Sequence, residues 1–198
     1  NQGDILGLIG ESGSGKSTIA KLILKIWNPT NGVLKLHNKD LASISDISEE
    51  IQLVFQDPFS SLNPKHKIGN AISEVLQTTD KKAPKSAVKE KVISLLQEVG
   101  LTTSDFAKYP HEFSGGQRQR ICIAKTLAKN PKIIVLDEAV SALDVSVQAK
   151  VLNLLNDLKR EKGLTYLLIS HDMNVVSYFC NKIIVLKQGR VIESGETD

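Results

Sequence analysis

The 198-residue chain has little cysteine, no long apolar run and no marked excess of either charge. Its two cysteines, Cys122 and Cys180, lack the paired spacing of a zinc or redox motif, which argues against such sites and fits a reduced, cytosolic setting. No apolar run reaches the roughly 20 residues that a spanning helix needs, and the first residues carry no signal-peptide pattern. Work at a membrane would therefore require docking onto something embedded there. With 25 basic and 22 acidic residues the formal net charge is +3, too mild and too evenly spread to indicate nucleic acid as a partner. No internal repeat is found. What remains is a chain with 41% hydrophobic content, long enough for one sizeable core and needing no second domain.

Periodicity organises that core. Residues 3–9 read as a short buried strand entering a glycine-rich turn, and the apolar period of residues 19–26 predicts a helix after it. Residues 33–37 and 51–55 read as further strands. The short apolar runs 133–136 and 166–169 suit parallel strands buried on both faces. Between that pair, Val147, Val151, Leu154, Leu155 and Leu158 share one helical face over 147–162, and Gly163 stops the helix, which makes a βαβ crossover. Residues 183–186 and 190–192, joined by Lys187-Gln188-Gly189, read as a hairpin. The middle differs: 68–77 and 86–99 are helical patterns flanking polar, lysine-rich residues 78–85, so 62–130 is expected to form a helical lobe inserted in the α/β core. The lysines at 81, 82, 85, 89 and 91 are read as a solvated face.

Three motifs carry chemistry. Gly10-Glu11-Ser12-Gly13-Ser14-Gly15-Lys16-Ser17 fits G-x-x-x-x-G-K-[ST] where a strand meets a helix. Its glycines let backbone N–H groups crowd around phosphate oxygens, and the helix adds its positive end. Lys16 is expected to bridge β- and γ-phosphates, Ser17 to ligate Mg²⁺ and Thr18 to support the α-phosphate. The strand over 133–136 leads into Asp137 and Glu138 at the sheet's carboxyl edge, where ligands bind. Asp137 is expected to hold Mg²⁺ and Glu138 to polarise the attacking water. Phe113-Ser114-Gly115-Gly116-Gln117 precedes a predicted helix over 118–127, and a serine cap with two glycines leaves backbone N–H groups for an anion.

Ser114-Gly115-Gly116-Gln117, lying between the phosphate loop and Val135-Leu136-Asp137-Glu138, resembles the signature motif of the ATP-binding cassette family, and the resemblance covers almost the whole chain. It implies a P-loop α/β fold with a mainly parallel sheet, antiparallel edge strands and a helical subdomain, and ATP with Mg²⁺ as the bound nucleotide. Gln56 resembles the Q-loop glutamine, which implies a place at the Mg²⁺ and γ-phosphate and a link to a membrane partner through residues 56–63. Ser141-Ala142-Leu143-Asp144 resembles the D-loop, with Asp144 at a dimer interface, and His171 resembles the switch histidine. His37, His66 and His111 are left as surface or structural residues.

More narrowly, Phe55-Gln56-Asp57-Pro58-Phe59-Ser60-Ser61-Leu62-Asn63-Pro64 and residues 109–120 resemble the oligopeptide, dipeptide and nickel importer subfamily. Phe113 stands where many cassettes have leucine, and Ala139-Val140 replaces the usual Pro-Thr. The resemblance implies an ATPase subunit at the cytoplasmic face of the membrane, paired with a second cassette and with permease subunits and served by a binding protein, its cargo nickel, a metal chelate or short peptides. It also implies a chain cut short at both ends, since the family's adenine-stacking aromatic residue lies upstream of this start. A soluble cassette of DNA repair or translation is the alternative, but neither a long coiled coil nor a second cassette is present. A GTPase-like switch would need N-K-x-D, whereas Asn38-Lys39-Asp40 has the wrong spacing. Residues 107–111 do not form the acidic, glycine-containing loop of exporter cassettes.

Overall fold

The computed structural model describes residues 2–197. In chain order the elements are β1 (Ile5–Gly10), α1 (Lys16–Ile23), β2 (Lys35–Leu36), β3 (Lys39–Asp40), β4 (Ile51–Val54), α2 (Pro58–Ser61), α3 (Ile68–Thr79) and α4 (Lys85–Glu98). There follow α5 (Gly115–Leu127), β5 (Ile133–Asp137), α6 (Val145–Lys162), β6 (Thr165–Ile169), α7 (Met173–Phe179), β7 (Lys182–Lys187) and β8 (Arg190–Glu196). They divide into two compact units, one of Asn1–Leu53, Pro131–Glu138 and Gly163–Asp198, the other of Val54–Asn130 and Ala139–Lys162.

The first unit is built on a six-stranded sheet in the order β4-β5-β6-β1-β7-β8. β5, β6, β1 and β7 run parallel, and β8 closes the edge antiparallel to β7. Apolar runs suit the central strands because both faces are covered. Leu8, Val135, Leu167 and Ile169 of the strands, Ala20 of α1, and Leu41, Ile47 and Ile51 form one buried cluster. Tyr166 is wholly buried and stacks on Phe179 of α7 at a ring distance of 5.8 Å. Burial correspondingly pushes its hydroxyl well above the ordinary tyrosine range.

Two local departures from the sequence reading have backbone causes. The strand expected over 33–37 shrinks to β2, because His37 and Asn38 adopt left-handed φ of 50° and 63° and turn the chain back into β3. Asn38-Lys39-Asp40 is thus a hairpin turn and its return strand. The helix expected over 19–26 begins instead at Lys16, directly on the turn, and ends at Ile23 with Leu24 as its C-cap, before Lys25 goes left-handed at φ 55°. α7, which the sequence reading missed, is short and capped by Asp172, whose carboxylate accepts from the N–H groups of Asn174 and Val175.

The second unit is helical. α3 buries Ile68, Gly69, Ala71 and Ile72, and α4 buries Val88, Val92, Leu95 and Leu96, so each turns one stripe inward. Pro84 precedes the first residue of α4, a place where a missing N–H costs nothing. α5 is covered on most sides, with Ile121, Cys122, Ile123 and Ala124 all buried. α6 joins the parallel strands β5 and β6 in sequence, yet it belongs to this unit, which begins at Val54 and takes in residues 139–162, whereas the sequence places the helical lobe at 62–130.

α5 and α6 meet at Gly116. A Cβ at that position would lie 2.2 Å from Cγ1 of Val147, closer than any packed side chain tolerates. Gly116→Ala is therefore expected to lower stability by about 1–3 kcal/mol, the scale of overpacking, and Val147→Ala in the same chain to recover part of it. The urea midpoint at constant denaturant slope measures both changes.

Candidate functional site

Three adjacent strands deliver the site. β5, β6 and β1 are neighbours and parallel, so their carboxyl ends lie side by side at one edge. β1 runs into the glycine loop, β5 ends on Asp137 and Glu138, and β6 is followed by Ser170 and His171. Ligands of open α/β sheets bind at such an edge.

The loop is held open by its glycines. Gly13 and Gly15 take φ of 78° and 108°, and a Cβ on Gly13 would meet nothing within 4 Å. Gly15 sits immediately before α1, whose first-turn N–H groups start without intrahelical partners. Lys16 is buried, and its ammonium donates to the carbonyls of Gly10 at 2.7 Å and Glu11 at 2.9 Å. Two of its three N–H groups are so engaged, which leaves the third for an anion. Ser12, Gly13, Gly15, Lys16, Ser17 and Thr18 line a cavity of about 270 Å³ whose other walls are Glu138 and His171.

Glu138 is fixed from both sides. Its N–H donates to the carbonyl of Ile169 at 3.0 Å, extending the β5–β6 ladder by one residue, and its backbone is left-handed at φ 49°. Such a backbone is costly for a side-chain-bearing residue and is retained where surrounding structure imposes it. The carboxylate Oε1 lies 3.0 Å from Nδ1 of His171. His171 is carried between buried Ser170, whose hydroxyl accepts from the N–H of Asp172, and the helix that Asp172 caps. Asp137 sits one residue before Glu138 and its carboxyl is raised above the ordinary range, first by burial and then by the neighbouring Glu138 charge; Lys16 and Lys21 oppose the shift.

This cradle fits a nucleotide phosphate chain: open glycine backbone, a helix start, a buried ammonium and exposed Ser17 and Thr18 hydroxyls converge on one cavity. Asp137 and Ser17 are hard oxygen donors of the kind Mg²⁺ takes alongside water and phosphate. Among the described residues no cluster of three or more His, Cys, Asp or Glu residues could hold a metal unaided.

The remaining predicted site residues lie in the second unit. Ser114 caps α5: its hydroxyl accepts from the N–H of Gln117 at 3.3 Å, while the Gln117 side chain accepts from the N–H of Ser114 at 2.9 Å. A Cβ on Gly115 would be 3.7 Å from the Leu143 side chain, so this cap adjoins the turn before α6. In that turn Asp144 accepts from the Ser146 hydroxyl at 2.8 Å and the Val147 N–H at 3.0 Å, and these bonds hold its carboxyl below the ordinary range. Gln56 donates from its amide to the Ser141 hydroxyl at 3.3 Å. Asp144 and Ser114 thus have capping roles that the sequence reading gave only to Ser114. Sequence reasoning missed Gly189, whose N–H donates to the Ser14 carbonyl of the phosphate loop at 2.9 Å. The Lys187-Gln188-Gly189 turn was its only signal, and it reads simply as a hairpin.

A family model described as ABC transporter matches residues 1–141. The chain belongs to the ABC transporter family. It is 47% identical to the dipeptide transport ATP-binding protein DppF of Haemophilus influenzae, covering 100% of this chain and 62% of that protein. It is 44% identical to the oligopeptide transport ATP-binding protein OppF of Streptococcus mutans, with 100% and 66% covered, and 46% identical to the glutathione import ATP-binding protein GsiA of Salmonella paratyphi A, with 98% and 32% covered. The chain therefore spans less than two thirds of these relatives' lengths. Among solved structures, cbiO1 from Clostridium perfringens, part of the ABC transporter complex cbiONQ, superposes with a TM-score of 0.90 at 29% identity, covering 100% of this chain and 78% of that one. The ATP-binding cassette MJ0796, solved as a post-hydrolysis dimer bound to ADP and Pi, gives 0.85 at 30%, with 100% and 87% covered. These likenesses show that the chain has the fold of the family's P-loop cassettes.

The raised carboxyl of Asp137 has a stability consequence. An acid whose folded pKa lies above its unfolded value destabilises the fold while ionised, fully at neutral pH, and the cost disappears as pH falls through the raised pKa towards the unfolded value of about 3.9. Asp137→Asn should accordingly make the nucleotide-free protein more stable at pH 7, with the gain fading towards pH 4. Chemical denaturation at the two pH values measures it; equal gains at both would mean that ionisation is not the cause.

Proposed function

We propose that the chain binds and hydrolyses MgATP as the ATPase subunit of a binding-protein-dependent importer, at the cytoplasmic face of a membrane and with short peptides as cargo. The observation that carries this reading is the single cavity shared by the Lys16 phosphate cradle and the Glu138–His171 pair. The names of the dipeptide, oligopeptide and glutathione relatives support peptides; nickel and metal chelates, which the sequence also leaves open, have no such support among them. The same names disfavour a repair or translation role. Among the described residues no helix is long and apolar enough to cross a membrane, so the membrane contact is assigned to permease subunits, with residues 56–63 as the docking segment.

In this reading the Lys16 ammonium, held by the Gly10 and Glu11 carbonyls, turns its third N–H to the β- and γ-phosphate oxygens, and the N–H groups of residues 13–18 close around the chain of phosphates. Ser17 and Asp137 would hold Mg²⁺, which would supply positive charge against the charge growing on the phosphates. Glu138 takes the proton of the attacking water, and His171 holds the carboxylate in place through Nδ1 and reaches the γ-phosphate. Removing a positioned general base costs roughly 10²-fold or more in rate. Glu138→Gln is therefore expected to bind ATP as wild type does while turnover falls by at least that factor; turnover near wild type would remove Glu138 from the role.

The Ser114 cap and Asp144 are assigned to a nucleotide held by a second cassette, so that two ATP molecules lie between two chains. The capping box occupies the side chains of Ser114 and Gln117 but gives the N–H groups of Gly115 and Gly116 no partner, and the dimeric ADP-bound MJ0796 cassette is a precedent for pairing. The test places Ser114→Arg in the Glu138→Gln background with the partner cassette present. ATP affinity of the monomer should be nearly unchanged and ATP-driven dimerisation lost. If monomer affinity falls as far as dimerisation does, Ser114 serves its own chain's site.

A further inference from the structure

β1 and β7 are parallel neighbours whose last paired residues are Gly10 and Leu186. One strand then enters the phosphate loop and the other a two-residue turn, closed by the pair Lys187 and Arg190. The turn residues Gln188 and Gly189 are both left-handed, at φ 49° and 76°, the conformation that lets a two-residue loop match strand twist. In a loop of this kind neither N–H belongs to the ladder, so both are available for a partner outside the hairpin. Gly189 finds one in the Ser14 carbonyl at 2.9 Å, and its Cα lies 3.7 Å from where a Cβ on Gly15 would stand. The hairpin turn is therefore seated against the middle of the phosphate loop.

The Ser14 carbonyl and the Gly15 N–H belong to one peptide group. Because that group is planar and trans, its oxygen and hydrogen point in opposite directions. Holding the oxygen on the hairpin side fixes the hydrogen on the other, in a residue that lines the nucleotide cavity. We propose that the Gly189 N–H is a positioning group for phosphate binding: by anchoring the Ser14 carbonyl to the β7–β8 turn it presets the Gly15 N–H as a donor to the nucleotide. The role needs a left-handed residue with a free N–H at 189, and open space around Gly189 shows that no side-chain clash dictates the glycine. The inference rests on the nucleotide reading of the cavity, and the two can fail separately.

The experiment uses the full-length protein with three substitutions, measuring ATP and ADP affinity by calorimetry and thermal unfolding of each variant. Gly189→Pro deletes the N–H; Gly189→Ala keeps it but strains the left-handed backbone. Both should unfold at lower temperature. Only Gly189→Pro should bind ATP and ADP more weakly, by about tenfold, the scale of one preset hydrogen bond to a charged group. Equal affinity losses in the two variants, or wild-type affinity in Gly189→Pro, would overturn the proposal. Should Gly189→Pro not fold, amide exchange of wild-type Gly189 decides: protection without nucleotide that deepens with ATP is expected, and exchange at the rate of an unstructured chain overturns it. Lys16→Ala is the control for the underlying reading, since unchanged nucleotide affinity there refutes the cavity as a phosphate site whatever Gly189 does.

Discussion

Parallel pairing of β5, β6 and β1 is the constraint on which the first unit's chemistry depends. The register that sets Asp137 opposite Ile169, and Leu8 opposite Ile169 on the other side, brings three strand ends to one level. From that level the Glu138 N–H reaches the Ile169 carbonyl, and the Glu138 carboxylate reaches His171. A one-residue slip in either pairing would reverse the faces of the strand and separate these groups. The apolar runs are therefore more than core filling. Val135, Leu167 and Ile169, buried between strands and α1, lock the register that aligns the polar groups at the edge.

The same edge carries local cost. Asp137 keeps a carboxyl in surroundings that favour its neutral form, Glu138 adds a second acid beside it in a left-handed backbone, and Lys16 is buried with its ammonium hydrogen-bonded to backbone carbonyls. Each feature is unfavourable for folding alone; a divalent cation would offset the two acids and a phosphate chain would offset the buried ammonium. A perturbed acid next to a cavity-lining residue of strained backbone is what a binding site looks like before its ligand arrives. The buried cysteines show the contrast, since burial is the main cause that pushes both thiols up to about 12, and they are inert packing residues.

Much of this was legible in the sequence, for physical reasons that differ by element. The phosphate loop, β5 and β6 could be read because their signals are local: a fixed glycine spacing, and short apolar runs that only doubly covered strands show. The hairpin of β2 and β3 was not, because it depends on two non-glycine residues, His37 and Asn38, adopting left-handed backbone. α7 was missed because seven residues give too little periodicity, and its cap, Asp172, lies beside a histidine that draws attention first. Pairings between distant residues were beyond reach altogether. Nothing in Gln56 or Ser141 alone indicates their bond, and nothing in Gly189 indicates Ser14.

The second unit shows how capping narrows what a motif can offer. Ser114 and Gln117 satisfy each other's backbone, and Asp144 satisfies the start of α6, so all three side chains are already engaged in holding helix ends. A ligand meeting this surface would find backbone N–H groups at the start of a thirteen-residue helix rather than free side chains. Backbone donors cannot be swapped by single substitutions, but access to them can be lost to a Cβ. At Gly116 the missing Cβ has a packing cause, because a side chain there would run into Val147 of α6. Glycine at 116 therefore sets how closely the start of α5 approaches α6, and with it where the N–H groups at that helix start are held.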